Sequence, residues 1–244
     1  MESKKLGTLA LVVPTLNEAD NIGILLDSIQ QAIEHIDISY TIVVVDDGST
    51  DGTPHVVRKQ MQRDNRIELL ERPGKSGLAG AILHGWKHVN ADFLGVMDAD
   101  LQHPPALLPE LLGTVLEEAD IAIASRYTKE NGVEGWNPVR AAISRVSTMA
   151  TRPLLNPKLN VTDPMSGFFI VRRSCIDGLE FQTQGFKLLL EILVRGRIKS
   201  AREIPYQFGL RHAGKSKASA AVAFHYLSLL GRLSRELVLR PSSQ

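Results

Sequence analysis

Apolar residues fall along this chain in short unbroken runs, separated by stretches in which they recur at helical spacing. Three runs come early. Leu9 to Val13 (L-A-L-V-V) stops at Pro14, Thr41 to Val45 (T-I-V-V-V) stops at Asp46-Asp47-Gly48, and Phe93 to Met97 (F-L-G-V-M) stops at Asp98. Continuous apolar runs of this length suit strands covered on both faces, as in a parallel sheet with helices on either side. Between them, Ile22, Leu25, Leu26 and Ile29 keep the spacing of one helix face, and further helices are predicted from about Gly77 to His88 and from about Pro105 to Glu117. Alternating strands and helices predict an α/β fold with a mostly parallel sheet flanked by helices. A fourth strand is expected over Ile121 to Ala124, ending at Ser125-Arg126-Tyr127, then a polar loop and a helix from about Val139. Ser216 to Leu239 is helical in pattern, with Phe224, Leu227, Leu230 and Leu233 on one side and Arg232 and Arg235 nearby. It reads first as a helix packed on the core, and second as an amphipathic helix on a membrane surface or a partner.

In sheets of this kind ligands sit beyond the carboxyl ends of the strands. The early runs all end there in polar residues: Pro14-Thr15-Leu16-Asn17-Glu18, Asp46-Asp47-Gly48-Ser49 and Asp98-Ala99-Asp100. Asp46 and Asp47 can accept hydrogen bonds from a base or a ribose hydroxyl, and Gly48 and Gly52 permit the turn this requires. The same letters also fit an ordinary Asp/Gly turn with a helix cap from Ser49 or Thr50. In D-A-D-L-Q, alternate residues of an extended segment share a side, so Asp98, Asp100 and Gln102 are expected to face one site. Two carboxylates and an amide oxygen are hard ligands suited to Mg²⁺ or Mn²⁺, an ion that would neutralise a diphosphate. His103 reads as a neighbour of this set rather than a ligand.

Composition narrows the field. The chain has 244 residues, 43% of them hydrophobic, with 28 basic and 27 acidic side chains, a formal net charge of +1. That balance lacks the basic field of a nucleic-acid binder, so no nucleic-acid partner is expected. One cysteine, Cys175, rules out an intrachain disulfide and suits a reducing compartment. No apolar run approaches a membrane span and no secretory signal is evident, which favours a soluble or peripheral protein. R-P-G-K-S-G-L-A-G, Arg72 to Gly80, lacks the spacing of a P-loop, and no G-x-G-x-x-G follows the first strand. It reads as a loop opening a helix near a nucleotide. Among the cations, Arg126 ends a strand, Arg140 and Ser144 share a helix face, and Arg211 and Lys217 flank Gly214 and Ser216; arginine forks hold phosphates well. Asp163 and Glu191 are acids in apolar surroundings, and Glu191 reads either as a sugar contact or as the partner of Arg195 or Lys187.

Together the stretches P-T-L-N-E, V-V-D-D-G-S-T-D-G-T, D-A-D-L-Q-H-P, S-R-Y, T-D-P-M-S-G-F and R-H-A-G-K-S-K resemble family 2 glycosyltransferases, and within them the dolichyl- or polyprenyl-phosphate mannosyltransferases. They run in family order from Pro14 to Lys217. The resemblance implies a GT-A fold, Rossmann-like, a GDP-mannose donor, a polyprenyl-phosphate acceptor, a divalent metal and inversion. It implies that Pro14, Asn17, Glu18, Asp46 and Asp47 border the nucleoside, and that Asp98, Asp100 and Gln102 hold metal and diphosphate. Arg126, Arg140, Ser144, Arg211 and Lys217 would hold phosphates, the acceptor's falling to Arg126, Arg140 and Ser144. Asp163 and Glu191 would lie near the sugar. Leu16 stands where many of the family carry tyrosine. Residues 1–215 are expected to form the catalytic domain and 216–244 a helix that docks on a membrane or on a small membrane protein, at the cytoplasmic face. Three other readings stay open: a glucosyl transferase using UDP-glucose, a family 2 transferase with a soluble acceptor and Asp163 as general base, and a non-catalytic nucleotide-sugar-binding subunit.

Overall fold

The computed structural model describes residues 7–72, 77–117, 119–127, 138–181, 187–207 and 220–239. The first half alternates as the apolar runs predict: β1 (Thr8–Thr15), α1 (Ala19–Ile33), β2 (Ser39–Asp46), α2 (Thr53–Met61), β3 (Ile67–Glu71), α3 (Gly77–His88), β4 (Phe93–Met97), α4 (Leu108–Glu117) and β5 (Ile121–Ser125). Then follow α5 (Pro138–Thr151), β6 (Phe168–Arg172), α6 (Leu188–Arg195), β7 (Ala201–Pro205) and α7 (Ala220–Leu239). The strands form one seven-stranded sheet in the order β3-β2-β1-β4-β6-β5-β7. All neighbours are parallel except β6, which runs antiparallel to both β4 and β5.

Side-chain alternation divides the core. Leu9, Leu11 and Val13 of β1 face α1 and α4 with Leu26, Ile29 and Leu112, while Ala10 and Val12 face α3 and α6 with Ile82, Trp86 and Leu189. Both faces are therefore dry, which is why these strands carry no alternating polar residues. A third cluster joins Leu190 and Val194 of α6 to Leu229 and Leu233 of α7. On α7 Leu233 is buried, but Leu227, expected on the same side, is 65% exposed and Leu229 takes the inward place.

The topology gathers the site. The strand order turns outward on either side of the β1–β4 pair, the usual position of a ligand crevice. Because β6 is reversed, the loop that precedes it, residues 162–167, emerges at the same end of the sheet as the last residues of β4 and β5. β7 is parallel to β5, with Ser125 opposite Pro205, so Tyr206 reaches that end as well.

Candidate active site

At the ends of β1 and β2 two loops are tied together. Asp46 is buried, and its Oδ1 accepts from Thr15 Oγ1 at 2.9 Å and from Ser49 Oγ, while Oδ2 accepts from the N–H groups of Gly48 at 3.1 Å and Ser49 at 2.8 Å. Asn17 holds a left-handed backbone, φ 57°, with its N–H on Ser49 Oγ at 2.7 Å and its Oδ1 accepting from Thr50 N at 2.8 Å. Asp51 serves two helices: Oδ1 accepts from Thr53 N and Oγ1 at the start of α2, and Oδ2 from Ala19 N at the start of α1. Gly52 precedes α2 at φ 93°, where a side chain would be strained. Instead of the cap expected of Ser49 or Thr50, Asp51 takes the first N–H of α2, while Ser49 Oγ is engaged with Asp46 and Asn17 and the Thr50 N–H with Asn17. Glu18 N–H donates to Thr53 Oγ1 at 2.9 Å, and Glu18 Oε2 accepts from Asn21 Nδ2 at 2.8 Å. Asp47 is held by Arg72, whose Nε lies 2.7 Å from Oδ1.

Across the crevice, the segment after β4 is a turn, not the extended run the sequence suggested. Leu101 has φ 59°, a rare conformation for a bulky residue, and Gln102 N–H donates to Asp100 Oδ1 at 3.2 Å. Asp98 sits against Gly167: a Cβ on that glycine would lie 2.0 Å from Asp98 Oδ2. His103 is buried, with Nε2 3.7 Å from Asp98 Oδ2 and Nδ1 2.7 Å from the Tyr206 hydroxyl. Asp98 Oδ1 is buried and has no hydrogen-bond partner among the described residues. A buried carboxylate oxygen in that state is one a hard divalent cation would satisfy, and the carboxylates of Asp98 and Asp100 with the Gln102 amide oxygen are the donor types Mg²⁺ or Mn²⁺ takes. Among the described residues no group of three or more His, Cys, Asp or Glu could hold a metal, so such an ion would draw its remaining ligands from elsewhere.

Arg126, just after β5, forks onto Asp163 from the loop before β6. Its Nε and Nη2 lie 2.7 Å from Oδ2 and Oδ1, and its N–H also donates to Oδ2 at 3.1 Å. Asp163 is fully buried. Lys187, at the start of α6, adds a second cation: burial and the repulsion of Arg126 push its ammonium down to about 8, while Asp163 and Asp98 pull the other way. Burial pushes the Tyr206 phenol well above its ordinary value; Arg126 opposes this and the carboxylates of Asp163, Asp98 and Asp100 reinforce it. These charges from β4, β5, α6 and the residue after β7 therefore act on one another across one small region.

Several sequence expectations change. Asp46 was expected to accept from a nucleoside, but each of its oxygens already accepts two hydrogen bonds, filling the roughly four sites of a carboxylate. Asp163, expected to lie near the sugar, holds Arg126 with both its oxygens. Glu191 was read either as a sugar contact or as the partner of Arg195 or Lys187; its carboxylate takes Arg195 at 2.8 Å and approaches Arg232 of α7 at 3.5 Å, linking two helices. Pro14, Asn17 and Glu18 stand at the β1 end with Asp47 close by, just after β2, its N–H on Thr15 O at 3.0 Å. Arg140 and Ser144 lie one turn apart on α5, and Arg211 and Lys217 lie outside the described residues. Lys187 and Tyr206 were not assigned to the site, and His103 was read as a neighbour of Asp98, Asp100 and Gln102 rather than a ligand. Lys187 had one signal, a cation directly ahead of the apolar run L-L-L-E-I-L-V.

Similarity to known proteins agrees with this architecture. The crystal structure of mannosyl-3-phosphoglycerate synthase from Rubrobacter xylanophilus superposes with a TM-score of 0.73 at 20% identity, over 98% of this chain and 76% of that one. Glucosyl-3-phosphoglycerate synthase from Mycobacterium tuberculosis in complex with Mn²⁺ and UDP-glucose gives 0.70 at 19% identity, over 97% and 81%. The fold is GT-A. Residues 10–179 match the model of Glycosyl transferase family 2, and the chain belongs to that family. A dolichol-phosphate mannosyltransferase of Pyrococcus furiosus is 37% identical over 227 residues, 93% of this chain; the chain spans 64% of that relative's length. The protein of the same name from Mycosarcoma maydis is 31% identical over 235 residues, 93% of this chain and 79% of the relative.

Proposed function

We propose that this protein transfers mannose from GDP-mannose to dolichyl or polyprenyl phosphate, with inversion at the anomeric carbon. The observation that carries the reading is the Arg126–Asp163 fork. An acceptor that had to be deprotonated would need a base, and Asp163, the acid the sequence offered for that work, is fully buried with both oxygens on Arg126. A phosphorylated acceptor is already anionic and instead needs an anchored cation. The relatives' name, dolichol-phosphate mannosyltransferase, supplies the sugar and the acceptor class.

In this reading an acceptor phosphate oxygen attacks the anomeric carbon as the bond to the donor's β-phosphate oxygen breaks. The electron pair leaves with GDP and no proton has to move. Arg126 and Lys187 offset the repulsion between two anionic reactants, so catalysis is positioning and electrostatics. Arg140 and Ser144 would join Arg126 on the acceptor phosphate, and Arg211 and Lys217 would reach the donor phosphates. Pro14, Asn17, Glu18 and Asp47 would border the nucleoside. Asp98, Asp100 and Gln102 would hold Mg²⁺ or Mn²⁺, which when bound neutralises charge on the departing diphosphate.

A lipid acceptor calls for a lipid-facing surface. Among the described residues no helix is long and apolar enough to cross a membrane. However, Val146 and Met149 of α5 and Leu227 of α7 are 66%, 59% and 65% exposed, and Tyr226 OH, beside Leu227, donates to Ser147 O, beside Val146. With exposed Arg145 and Arg152 close in sequence, this patch is suited to an anionic bilayer. Residues 1–215 would then be the catalytic domain and 216–244 the docking helix, with a small membrane protein as the other candidate for that helix.

The test is a transfer assay with purified protein, Mg²⁺ or Mn²⁺ and a short-chain polyprenyl phosphate. GDP-mannose and UDP-glucose are offered in parallel, with unphosphorylated polyprenol as control. Product from GDP-mannose, only with the phosphorylated lipid, is expected. Equal turnover of the unphosphorylated alcohol would overturn the acceptor assignment, and product from UDP-glucose alone would overturn the sugar. Liposome flotation lost on Val146→Asp with Leu227→Asp would support the docking patch; unchanged flotation would remove it.

A further inference from the structure

Glu203 lies on β7, an edge strand whose pattern, A-R-E-I-P, marks it as an ordinary solvent-facing residue. Its carboxylate is not turned to solvent. Oε2 accepts from Thr162 N at 3.0 Å and from Thr162 Oγ1 at 2.7 Å, and Oε1 accepts from Asp163 N at 2.7 Å. Thr162 Oγ1 is also 3.3 Å from Ser125 Oγ, the last residue of β5. Three donors from two consecutive residues thus converge on one carboxylate, immediately behind the acid that grips Arg126.

The arrangement is directional. Backbone N–H groups at the start of a loop are satisfied here by a side chain from another strand, so Glu203 fixes where Asp163 begins and which way its side chain leaves the chain. Asp163 in turn fixes both Nε and Nη2 of Arg126, and with them the plane of the guanidinium. A carboxylate is required: a glutamine would offer one acceptor oxygen and would set an NH₂ donor against a facing donor.

We infer that Glu203 is a positioning residue for Arg126, acting through the Thr162–Asp163 backbone to aim the guanidinium at the acceptor phosphate. The last clause rests on the function proposed above; the positioning itself does not. It predicts that loosening Glu203 changes Arg126 selectively, whereas a general structural role would loosen the whole sheet end.

Two measurements on the full chain separate these outcomes. The first is solvent exchange of arginine Nε–H groups by ¹⁵N NMR. Arg126 and Arg72, whose Nε donates to Asp47 at 2.7 Å, should both exchange slowly in the native protein. In Glu203→Gln, Arg126 should lose that protection by roughly tenfold or more while Arg72 keeps it. Retained protection at Arg126, or equal loss at both, would overturn the inference. Should Glu203→Gln fail to fold, Thr162→Val removes one donor and keeps both N–H groups, and the same order is expected at smaller amplitude. The second measurement is steady-state kinetics. Glu203→Gln should raise KM for polyprenyl phosphate by about tenfold, leave GDP binding within about twofold, and add nothing on top of Arg126→Ala. Independent, multiplying effects would count against the relay. If Arg126→Ala leaves the acceptor KM unchanged, the function assigned to Arg126 falls, and the exchange experiment alone judges Glu203.

Discussion

Two acidic clusters end neighbouring parts of the same sheet, and they are built in opposite ways. At the end of β2, Asp46 accepts four hydrogen bonds from its own loop and from Thr15, and Asp51 ties α1 to α2. At the end of β4, Asp98 leaves a buried oxygen without a partner among the described residues, Leu101 is held in a left-handed conformation, and Gly167 makes room for the carboxylate. The first cluster is internally satisfied and shapes the crevice. The second keeps unsatisfied charge at a place where stability alone would remove it, the usual mark of a ligand-facing site. D-D-G-S and D-A-D look alike in sequence; among the described residues the difference is that hydrogen bonds fill the acceptor sites of Asp46 and leave Asp98 Oδ1 without a partner.

That contrast makes the largest prediction. Asp100→Asn keeps an acceptor for Gln102 N–H but loses the charge. Transfer should fall by roughly 10²- to 10³-fold, with weaker Mn²⁺ binding by electron paramagnetic resonance and no loss of thermal stability. A clear drop in Tm without a change in metal binding would erase the distinction between the clusters. Gly167→Ala comes next. Its methyl group would displace Asp98, so Mn²⁺ affinity should fall by about 10- to 100-fold although no ligand is altered. Unchanged affinity would mean that Asp98 has other positions from which to bind.

Asp46→Asn should reverse the pattern. An asparagine can keep its oxygen on the N–H groups of Gly48 and Ser49 only by turning its NH₂ toward the Thr15 and Ser49 hydroxyls, which must reorient to accept, so the protein should lose about 1 kcal/mol of stability in denaturant unfolding. Mn²⁺ affinity should stay near the native value. A metal defect as deep as that of Asp100→Asn would show that the two clusters work as one.

The sequence made these motifs visible but not their division of labour. β1, β2, β4 and β5 were legible because both faces of the sheet are covered and each strand carries an unbroken apolar run. β3 (I-E-L-L-E) and β7 (A-R-E-I-P) are edge strands carrying charges, and they do not read as strands. β6 (F-F-I-V-R) is apolar enough, but nothing local shows that it inserts reversed between β4 and β5. That reversal is what brings Asp163 to Arg126 and Gly167 to Asp98. The candidate residues that end apolar runs were found from sequence. The contacts that depend on the reversed strand and its neighbours, those of Asp163, Gly167, Lys187 and Glu203, were not legible, because each residue meets its partner across a large separation in sequence.

The smallest prediction tests the satisfied cluster by pH. Burial alone would raise the Asp51 carboxyl, but hydrogen bonds from Thr53 Oγ1 and from the N–H groups of Ala19 and Thr53 outweigh it, so the group sits below its ordinary value. A carboxylate lowered by folding contributes stability that is present above its unfolded pKa, near 3.9, and is lost as pH falls through the lower folded value. Asp51→Asn should therefore melt below the native protein at pH 7, and the gap between their Tm values should narrow as pH drops below about 4. Asp51 is exposed, so the difference should amount to only a few degrees. A gap that stays constant through that range would assign the loss to helix capping geometry, with the charge of Asp51 contributing nothing. The β2 cluster would then owe its stability to hydrogen-bond count alone, and the contrast with the charged β4 cluster would become sharper.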